Sequence, residues 1–287
     1  MRVSATSANL GPGFDTLGLA VGLYLEVRAV LSDTDHFHYS GAGELSDTPD
    51  NLIHEGFRAV YRSLGLDAPK VTLTVENPIP LARGLGSSSA ALVAGILLAN
   101  AFLENRLARD DVFQLAASIE GHPDNVAPAI YGGFTVSALA GERYLCSSLP
   151  LPDDWQFLFG VPVFELKTSE ARSVLPDSYS RADLIFNASR TALWSLAVAQ
   201  NKPELLNVAA QDRVHEPYRE RLIPGLRECR AALLEAGAFA VYLSGAGPTV
   251  GVVCSEDNKA ACEKVLQAFV GSGDVLDLQP SAGYELS

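Results

Sequence analysis

A run of glycines and hydroxyls at residues 80–91 has the side chains and the spacing of an anion-binding loop. Its sequence is Pro-Leu-Ala-Arg-Gly-Leu-Gly-Ser-Ser-Ser-Ala-Ala. Residues 71–75 before it alternate as a strand does, and the uncharged apolar residues 90–102 after it predict a helix. The free N–H groups and the dipole at a helix start attract anions, and glycine lets the backbone approach them closely. The run therefore predicts a phosphate site, with an ordinary capped helix as the alternative.

Four polar side chains cluster farther along the chain, where a second predicted helix ends. Residues 110–120 have an acidic start that suits the helix dipole and an apolar stripe, and Pro123 and Pro128 oppose a regular continuation. The cluster follows the last turn, and a solvated turn is the alternative for this segment taken alone. Its members are Glu120, His122, Asp124 and Asn125.

Two further loops are rich in glycine. Residues 9–15, Asn-Leu-Gly-Pro-Gly-Phe-Asp, are too dense in Gly and Pro for a helix or a central strand, so they could present Asn9 and Asp15 to a cleft. Residues 244–249, Ser-Gly-Ala-Gly-Pro-Thr, lie between two predicted strands. A plain turn is the alternative for both, because glycine density alone does not separate the two interpretations.

The composition restricts the partners and the location of the chain. Its 287 residues are 48% hydrophobic, enough for one large domain or two modest ones, and its formal net charge is −13 without any basic run. These features argue against nucleic-acid and anionic-membrane partners. No segment approaches the roughly 18 apolar residues of a membrane span and no signal pattern is present, so a cytoplasmic location is expected. The spacing of the four cysteines predicts buried thiols instead of disulfides or metal ligands.

The periodicity of the chain predicts an α+β fold. Residues 17–30 alternate as in an antiparallel strand, and residues 51–64 repeat with helical spacing. A Pro- and Asp-rich segment at residues 150–154 predicts a boundary, which gives domains at residues 1–152 and 153–287. Further strands are predicted at residues 133–136, 141–149, 157–163, 239–243, 250–254 and 275–278, and further helices at residues 182–200, expected in a core, 226–236 and 257–269.

The three glycine-rich segments resemble, in order, the three motifs of the GHMP kinases, the superfamily of galactokinase, homoserine kinase, mevalonate kinase and phosphomevalonate kinase. The second motif, Pro-x-x-x-Gly-Leu-Gly-Ser-Ser, stands at residues 80–88 and is quite specific. Residues 8–15 and 244–249 resemble the first and third motifs, and the chain has neither a Walker A loop nor the protein-kinase signatures. Residues 120–128 and 215–225 resemble the homoserine kinase branch.

The resemblance implies a two-domain GHMP kinase fold. The N-terminal domain would be a ribosomal protein S5 domain 2-like mixed sheet with helices, and the C-terminal domain would be a ferredoxin-like α/β sandwich. It also implies a loop that binds the phosphates of ATP and two oxygen ligands for Mg²⁺, Ser88 and Glu120. The implied loop residues are Pro80, Leu81, Ala82, Arg83, Gly84, Leu85, Gly86, Ser87, Ser88, Ser89 and Ala90.

The implied acceptor is the zwitterion L-homoserine. Arg172 and Arg219 would bind its carboxylate with their fixed forks of donors, and Asp15 would bind its ammonium group. The catalytic residues would be Asn125, Glu120 and Arg172. The surrounding polar residues would be Asn9, His122, Asp124, Asn125 and Thr168, and Gly247 would also bind the substrate.

The function implied by the resemblance is transfer of the γ-phosphate of ATP to the homoserine hydroxyl, giving O-phospho-L-homoserine for threonine biosynthesis. No lysine near the first motif offers a partner for a general base, so Asn125 would hold the hydroxyl while its proton passes to the phosphate. A homodimer is expected as the commonest symmetric assembly. Alternatives are a kinase for another small alcohol, a non-catalytic ligand-binding relative, or a serine hydrolase, which would lack the usual Gly-x-Ser-x-Gly elbow.

Overall fold

The computed structural model describes residues 1–43, 48 and 50–286, whose strands form two sheets. The strands are β1 Arg2–Ala8, β2 Leu17–Leu31, β3 His36–Gly41, β4 Val71–Asn77, β5 Phe134–Ala140, β6 Arg143–Leu149, β7 Gln156–Val161, β8 Ala240–Leu243, β9 Val250–Cys254, β10 Asp274–Asp277 and β11 Tyr284–Glu285. The helices are α1 Leu52–Ser63, α2 Ser87–Phe102, α3 Arg109–Glu120, α4 Val126–Tyr131, α5 Thr168–Ser173, α6 Arg181–Gln200, α7 Leu206–Ala209, α8 Glu216–Arg219, α9 Leu226–Glu235 and α10 Glu256–Val270, with 3-10 turns at Pro203–Leu205 and Glu220–Leu222.

Strand β2 organises the first sheet because it is long enough to pair with three neighbours. Within its 15 residues, the stretch 18–26 pairs with β1 on one side, while residues 17–19 pair with β5 and residues 26–31 pair with β4 on the other. The sheet order is β11-β1-β2-β4-β3, with β5 and β6 beside the first part of β2. The strand predicted at residues 17–30 is confirmed, and its first five residues are all buried, so both faces of the sheet are covered there.

Helix α2 lies at the centre of the larger hydrophobic core. Twelve of its 16 residues are buried, as expected of a helix that is apolar on every side. Helix α1 crosses it at close range because both helices have a glycine at the crossing. A Cβ on Gly95 would lie 2.0 Å from the Ile53 carbonyl oxygen, and a Cβ on Gly56 would lie 2.4 Å from the Leu92 carbonyl oxygen.

The second sheet is antiparallel and has the order β10-β7-β9-β8. A second hydrophobic core, which includes Leu233 of α9 and Leu266 of α10, packs against it. The two sheets meet around Trp194 of α6. Its ring centroid lies 6.2 Å from Phe134 of the first sheet and 6.2 Å from Tyr242 of the second.

Helix α6 corrects the expectation of a core helix at residues 182–200. Only four of its residues are buried, whereas Leu184, Ile185 and Leu196 are exposed. The apolar content of this segment predicted the helix correctly. It did not predict the burial, because one face of α6 has no packing partner in the described part of the chain.

Several elements differ from the sequence predictions. Pro128 lies inside the short helix α4, where it occupies the third helical position, early enough that its missing N–H costs no helical hydrogen bond. Strands β1, β3 and β11 were not predicted. Strand β11 brings the end of the chain back to the first sheet, where Val3 pairs with Tyr284. The division of the chain at residues 152 and 153 stays a prediction.

The structure shows the state of the four cysteines and the length and apolarity of the helices. Cys229, Cys254 and Cys262 are buried free thiols, as predicted, and Cys146 is half-buried and also free. Across residues 1–43, 48 and 50–286, no helix has both the length and the apolarity to cross a bilayer.

The crossing of α1 and α2 generates the first testable prediction. Alanine is a better helix former than glycine by about 1 kcal/mol, so propensity alone would make Gly95→Ala stabilising. We expect the opposite, a loss of about 1 to 3 kcal/mol in the free energy of unfolding, because the added Cβ meets the α1 backbone. Urea denaturation measures the change. Ala101→Gly, at an exposed position of the same helix, controls for propensity, and a stabilised Gly95→Ala protein would contradict the close crossing.

Candidate active site

The predicted anion-binding loop leads directly into α2 and keeps its backbone donors available. Gly84 and Gly86 have φ angles of +82° and +67°, which side chains disfavour. Gly86 is the N-cap residue of α2, and none of the side chains that the structure describes caps the helix. The N–H groups of the first turn therefore have no acceptor within the helix, as an anion site requires.

The loop is fastened to both β1 and the glycine-rich loop between β8 and β9. The Ser244 hydroxyl donates to the Gly84 carbonyl at 2.6 Å, so it must accept from Ser7 Oγ, which lies at 2.7 Å. Backbone bonds join Thr6 N to Leu85 O at 3.1 Å and Gly245 N to Ala8 O at 3.0 Å. The three predicted motif loops thus meet at one place in the fold.

These loops line a single cleft of about 510 Å³, a size typical of small-molecule sites. Part of its wall is apolar and aromatic and includes Phe37, Tyr39 and Val75. Another part is charged and includes the side chains that were assigned to the acceptor. All of the predicted site residues line the cleft except Ala90, which is buried, and Gly247, whose place on the wall is taken by Gly245 and Ala246.

Asp15 and Arg172 form a bidentate ion pair on the charged wall. Arg172 Nη1 and Nη2 donate to the two Asp15 oxygens at 3.0 and 2.6 Å. Burial lowers the pKa of Arg172, but the hydrogen bond and the charge of Asp15 outweigh it, and the net direction is upward. The cleft wall thus presents a negative and a positive group side by side, a pattern that complements a zwitterion.

Arg219 lies deeper, with only 1% of its surface exposed. Its Nε donates to the Ala171 carbonyl at 3.1 Å and its Nη1 to the Gly245 carbonyl at 3.0 Å. Burial, together with the nearby positive charge of Arg172, lowers the pKa of Arg219 to about 10. Two arginines that repel each other on one wall favour an anion between them.

His215 holds Arg219 in place and was not predicted as a site residue. Arginine can only donate, so Arg219 Nη1 donates to His215 Nδ1 at 3.0 Å. The ring must then carry its proton on Nε2, which donates to the Gly11 carbonyl at 2.7 Å. Phe14 stacks on His215 at 5.3 Å and lies 5.1 and 5.2 Å from the guanidinium carbons of Arg172 and Arg219. The first motif loop therefore positions both arginines.

His122 and Asp124 form a second ion pair just after α3. Their Nδ1 and Oδ1 atoms are 2.7 Å apart, and Asp124 is 2% exposed. Burial lowers the pKa of His122, but the hydrogen bond and the charge of Asp124, with Glu120 and Asp15 nearby, outweigh it and raise the pKa. His122 therefore holds its proton to a higher pH than an ordinary histidine.

The three serines of the loop differ in what they contact. Ser87 accepts from Asn77 Nδ2 at 3.0 Å, and Ser89 donates to Glu120 Oε1 at 2.8 Å. Ser88 is exposed in the cleft, and its hydroxyl has no partner among the residues that the structure describes. The Ser88 hydroxyl and the second carboxylate oxygen of Glu120 thus remain available on the same cleft, and oxygen is the donor that Mg²⁺ prefers.

A second group has ligand spacing but not the electrostatics of a metal site. Asp15, His122 and Asp124 have ligand atoms within 4.8 Å of one another. Arg172 already pairs with Asp15, and His122 is hydrogen-bonded to Asp124. Both carboxylates are already paired, so the group offers little free negative charge and suits the singly charged ammonium group of the acceptor better than a divalent metal ion.

Two predicted residues bind the protein's own backbone. The Arg83 guanidinium donates to the carbonyls of Leu81, Pro162 and Val163, so it joins the loop to the segment after β7 instead of reaching for a phosphate. Asn9 donates to the Gly245 carbonyl and accepts from Asp15 N, at 2.8 and 3.0 Å. Both side chains shape the cleft, a role that residue type alone did not distinguish from ligand contact.

Comparisons with known proteins identify the family. Residues 51–133 match the GHMP kinases N terminal domain, and residues 196–271 match the GHMP kinases C terminal family. The chain is 48% identical over 285 residues to a homoserine kinase of Thermus thermophilus, with 99% of this chain and 97% of that protein covered. The chain belongs to the GHMP kinases, within the homoserine kinase family.

Further relatives agree with this family. A homoserine kinase of Moorella thermoacetica is 42% identical, with 95% of this chain and 93% of that protein covered. The crystal structure of a homoserine kinase from Cytophaga hutchinsonii superposes with a TM-score of 0.87 at 27% identity, covering 98% of this chain and 95% of that one. A mevalonate kinase of L. major, with a TM-score of 0.72 at 15% identity and coverages of 98% and 96%, shares the fold.

These findings confirm the superfamily that the motifs predicted. The two-domain GHMP kinase fold and the activity class, an ATP-dependent small-molecule kinase, are confirmed as well. The roles of individual site residues stay predictions. For this homoserine kinase family member, the geometry described above supplies the physical arguments for them.

The His122–Asp124 pair generates the second testable prediction. Asp124→Asn removes the charge and the strong hydrogen bond but leaves His122 buried, so we expect the pKa of His122 to fall by about one unit or more. Titration followed by NMR of the His122 ring measures it. The exposed substitution Asp153→Asn should leave that pKa unchanged.

The raised pKa of His122 also determines the direction in which the free energy of unfolding changes with pH. The folded-state pKa of His122 lies above its ordinary value of 6.5. Its stabilising contribution is therefore complete below that value and is lost as the pH rises through the raised pKa. An unchanged pKa of His122 in Asp124→Asn would contradict the assigned ion pair.

Proposed function

We propose that this chain transfers the γ-phosphate of ATP to the side-chain hydroxyl of L-homoserine, giving O-phospho-L-homoserine for threonine biosynthesis. One observation carries the proposal: a cleft with an open helix N-terminus also presents Asp15 beside Arg172 and Arg219. A phosphate donor and a small amino acid can therefore share one site. The names of the relatives point to the same substrates.

The loop before α2 would bind the phosphates of ATP through backbone N–H groups. The first turn of α2 supplies uncapped donors, and its dipole adds positive potential. The aromatic and apolar wall, with Phe37 and Tyr39, suits the base of the nucleotide. Lys167 is exposed on the cleft wall and adds positive charge.

Ser88 and Glu120 would hold Mg²⁺, which, when bound, neutralises charge on the phosphates. Glu120 Oε1 accepts from Ser89, which fixes the carboxylate and leaves its second oxygen for the ion. The Ser89 hydroxyl therefore has a structural use in this chain.

The acceptor would be held at three points. Its carboxylate fits between Arg172 and Arg219, and its ammonium group fits against Asp15 and Asp124. Its hydroxyl would lie against Asn125, whose side chain lines the cleft between the charged wall and the phosphate loop.

Proximity would provide most of the catalysis. Asp15, Asp124 and Glu120 already accept hydrogen bonds from Arg172, His122 and Ser89. Asp15 and Asp124 are held by their partners and Glu120 would hold the metal ion, so we assign none of the three as a general base. The homoserine oxygen would form the new bond to phosphorus as the bond to the leaving ADP breaks, and the hydroxyl proton would pass to an oxygen of the transferred group.

An ADP-release assay tests the proposal directly. We expect turnover with L-homoserine, and a kcat/KM at least about 100-fold lower with mevalonate and shikimate, which lack the ammonium group, and with galactose, which lacks both charges. A mixture without acceptor controls for ATP hydrolysis. Turnover of another alcohol without turnover of homoserine would overturn the proposed acceptor and leave the kinase family intact.

Two further proposals concern the protein in the cell. We propose a cytoplasmic location, where ATP and free amino acids are available. We also propose a homodimer, the commonest symmetric assembly of such enzymes.

A further inference from the structure

Thr6 contacts the one side chain that the reaction assigns to the acceptor hydroxyl. It lies on β1, is fully buried, and donates from Oγ1 to Asn125 Oδ1 at 2.8 Å. The contact joins residues 119 positions apart. Neither the motifs nor the family comparison assigns a role to this threonine.

The Thr6 hydroxyl determines which way the Asn125 amide faces. Asn125 Nδ2 lies 3.4 Å from Asp124 Oδ1. A flipped amide would bring its oxygen against that carboxylate and would turn its nitrogen toward Thr6. With the hydroxyl donating to Oδ1, the amide oxygen is occupied and Nδ2 keeps an N–H for the cleft.

Thr6 also touches the phosphate loop. A Cβ on Gly86 would lie 1.9 Å from Thr6 Oγ1 and 3.1 Å from Asn125 Oδ1. The N-cap of α2, the threonine and the asparagine therefore pack without a gap. The Thr6 hydroxyl therefore contacts both the loop where the phosphates would bind and Asn125, which would hold the acceptor oxygen.

We propose that Thr6 is a positioning residue that orients the Asn125 amide, so that an Nδ2 N–H binds the acceptor hydroxyl in line with the phosphate. This inference rests on the proposed function, because it concerns the same transfer step. Thr6 acts through Asn125 and contacts neither substrate. Its loss would misplace the hydroxyl, and such misplacement lowers the rate of the transfer step more than it weakens binding.

Replacing the hydroxyl by a methyl group is the first test. Thr6→Val keeps the shape and the backbone bond from Thr6 N to Leu85 O but removes the donor. We expect kcat to fall about 10- to 100-fold while the KM of ATP stays within about twofold. Thr6→Ser restores a hydroxyl and should recover most of the rate.

Thr135→Val is the matched control. Thr135 is another fully buried threonine on the first sheet, and its Oγ1 donates to the Gly18 carbonyl at 3.3 Å. It contacts no residue assigned to the reaction, so the substitution should leave kcat unchanged. Equal losses in Thr6→Val and Thr135→Val would overturn a specific role for Thr6.

A double-mutant cycle distinguishes positioning from general stabilisation. In an Asn125→Ala protein there is no amide to orient, so we expect Thr6→Val to cause no further loss in kcat. Additive losses would mean that Thr6 acts independently of Asn125 and would overturn the proposal.

An NMR measurement separates this inference from the proposed function, because it does not depend on turnover. The Asn125 side-chain amide signals are identified by their absence in Asn125→Ala. Thr6→Val should shift them and speed their exchange with solvent, whereas Thr6→Ser should not. Unchanged signals in Thr6→Val would overturn the proposal even if homoserine is the substrate, and altered signals would support it if another alcohol proves to be the acceptor.

Discussion

The close approach of Gly84 to the loop between β8 and β9 is the contact on which the rest of the site depends. A Cβ at Gly84 would lie 2.2 Å from the Ser244 carbonyl oxygen, and the Ser244 hydroxyl donates to the Gly84 carbonyl. Gly84 belongs to the segment between β4 and α2, whereas Ser244 follows a strand of the second sheet. The contact therefore joins the two sheets and, through Ser7 and Thr6, fixes the loop that would bind phosphate relative to β1.

The positive groups at the other end of the cleft are held by local ion pairs and hydrogen bonds, although the chain as a whole is acidic. The formal charge of the whole protein is −13, yet Arg172, Arg219 and His122 gather on one wall. Each is held by an acceptor within the protein: Asp15, the Ala171 and Gly245 carbonyls, and Asp124. Preorganised charges of both signs need little rearrangement to bind a zwitterion, so recognition and positioning rest on the same side chains.

The sequence predicted the features that depend on residue type over short distances. Glycine and serine spacing predicted that a helix follows the loop, although α2 begins at Ser87 and not at the predicted residue 90. Alternation predicted β2 and β4. Local patterns could not predict features that depend on residues far away in the sequence. The two-residue strand β11 exists only because β1 is present, and the exposed face of α6 looks like a core helix in sequence. Arg83 is a good phosphate ligand by type, but its donors meet backbone carbonyls. Thr6 contacts Asn125, which is 119 residues away, so no local pattern could indicate this pair. His215 contacts Arg219, which is four residues away, and this helical spacing is visible in the sequence.

The central claim is that this fold brings donor and acceptor together so that the phosphoryl group moves between them in one step. His122, Asp15 and Asp124 on the charged wall are held by hydrogen bonds and ion pairs, and in the proposed mechanism positioning is the main contribution of the protein. The stereochemical course at phosphorus tests this claim most directly, with an ATP analogue that has a chiral, isotopically labelled γ-thiophosphate and with homoserine as acceptor. Direct transfer predicts inversion of configuration at phosphorus. Retention would reveal two successive displacements through a phosphorylated side chain and would contradict the account.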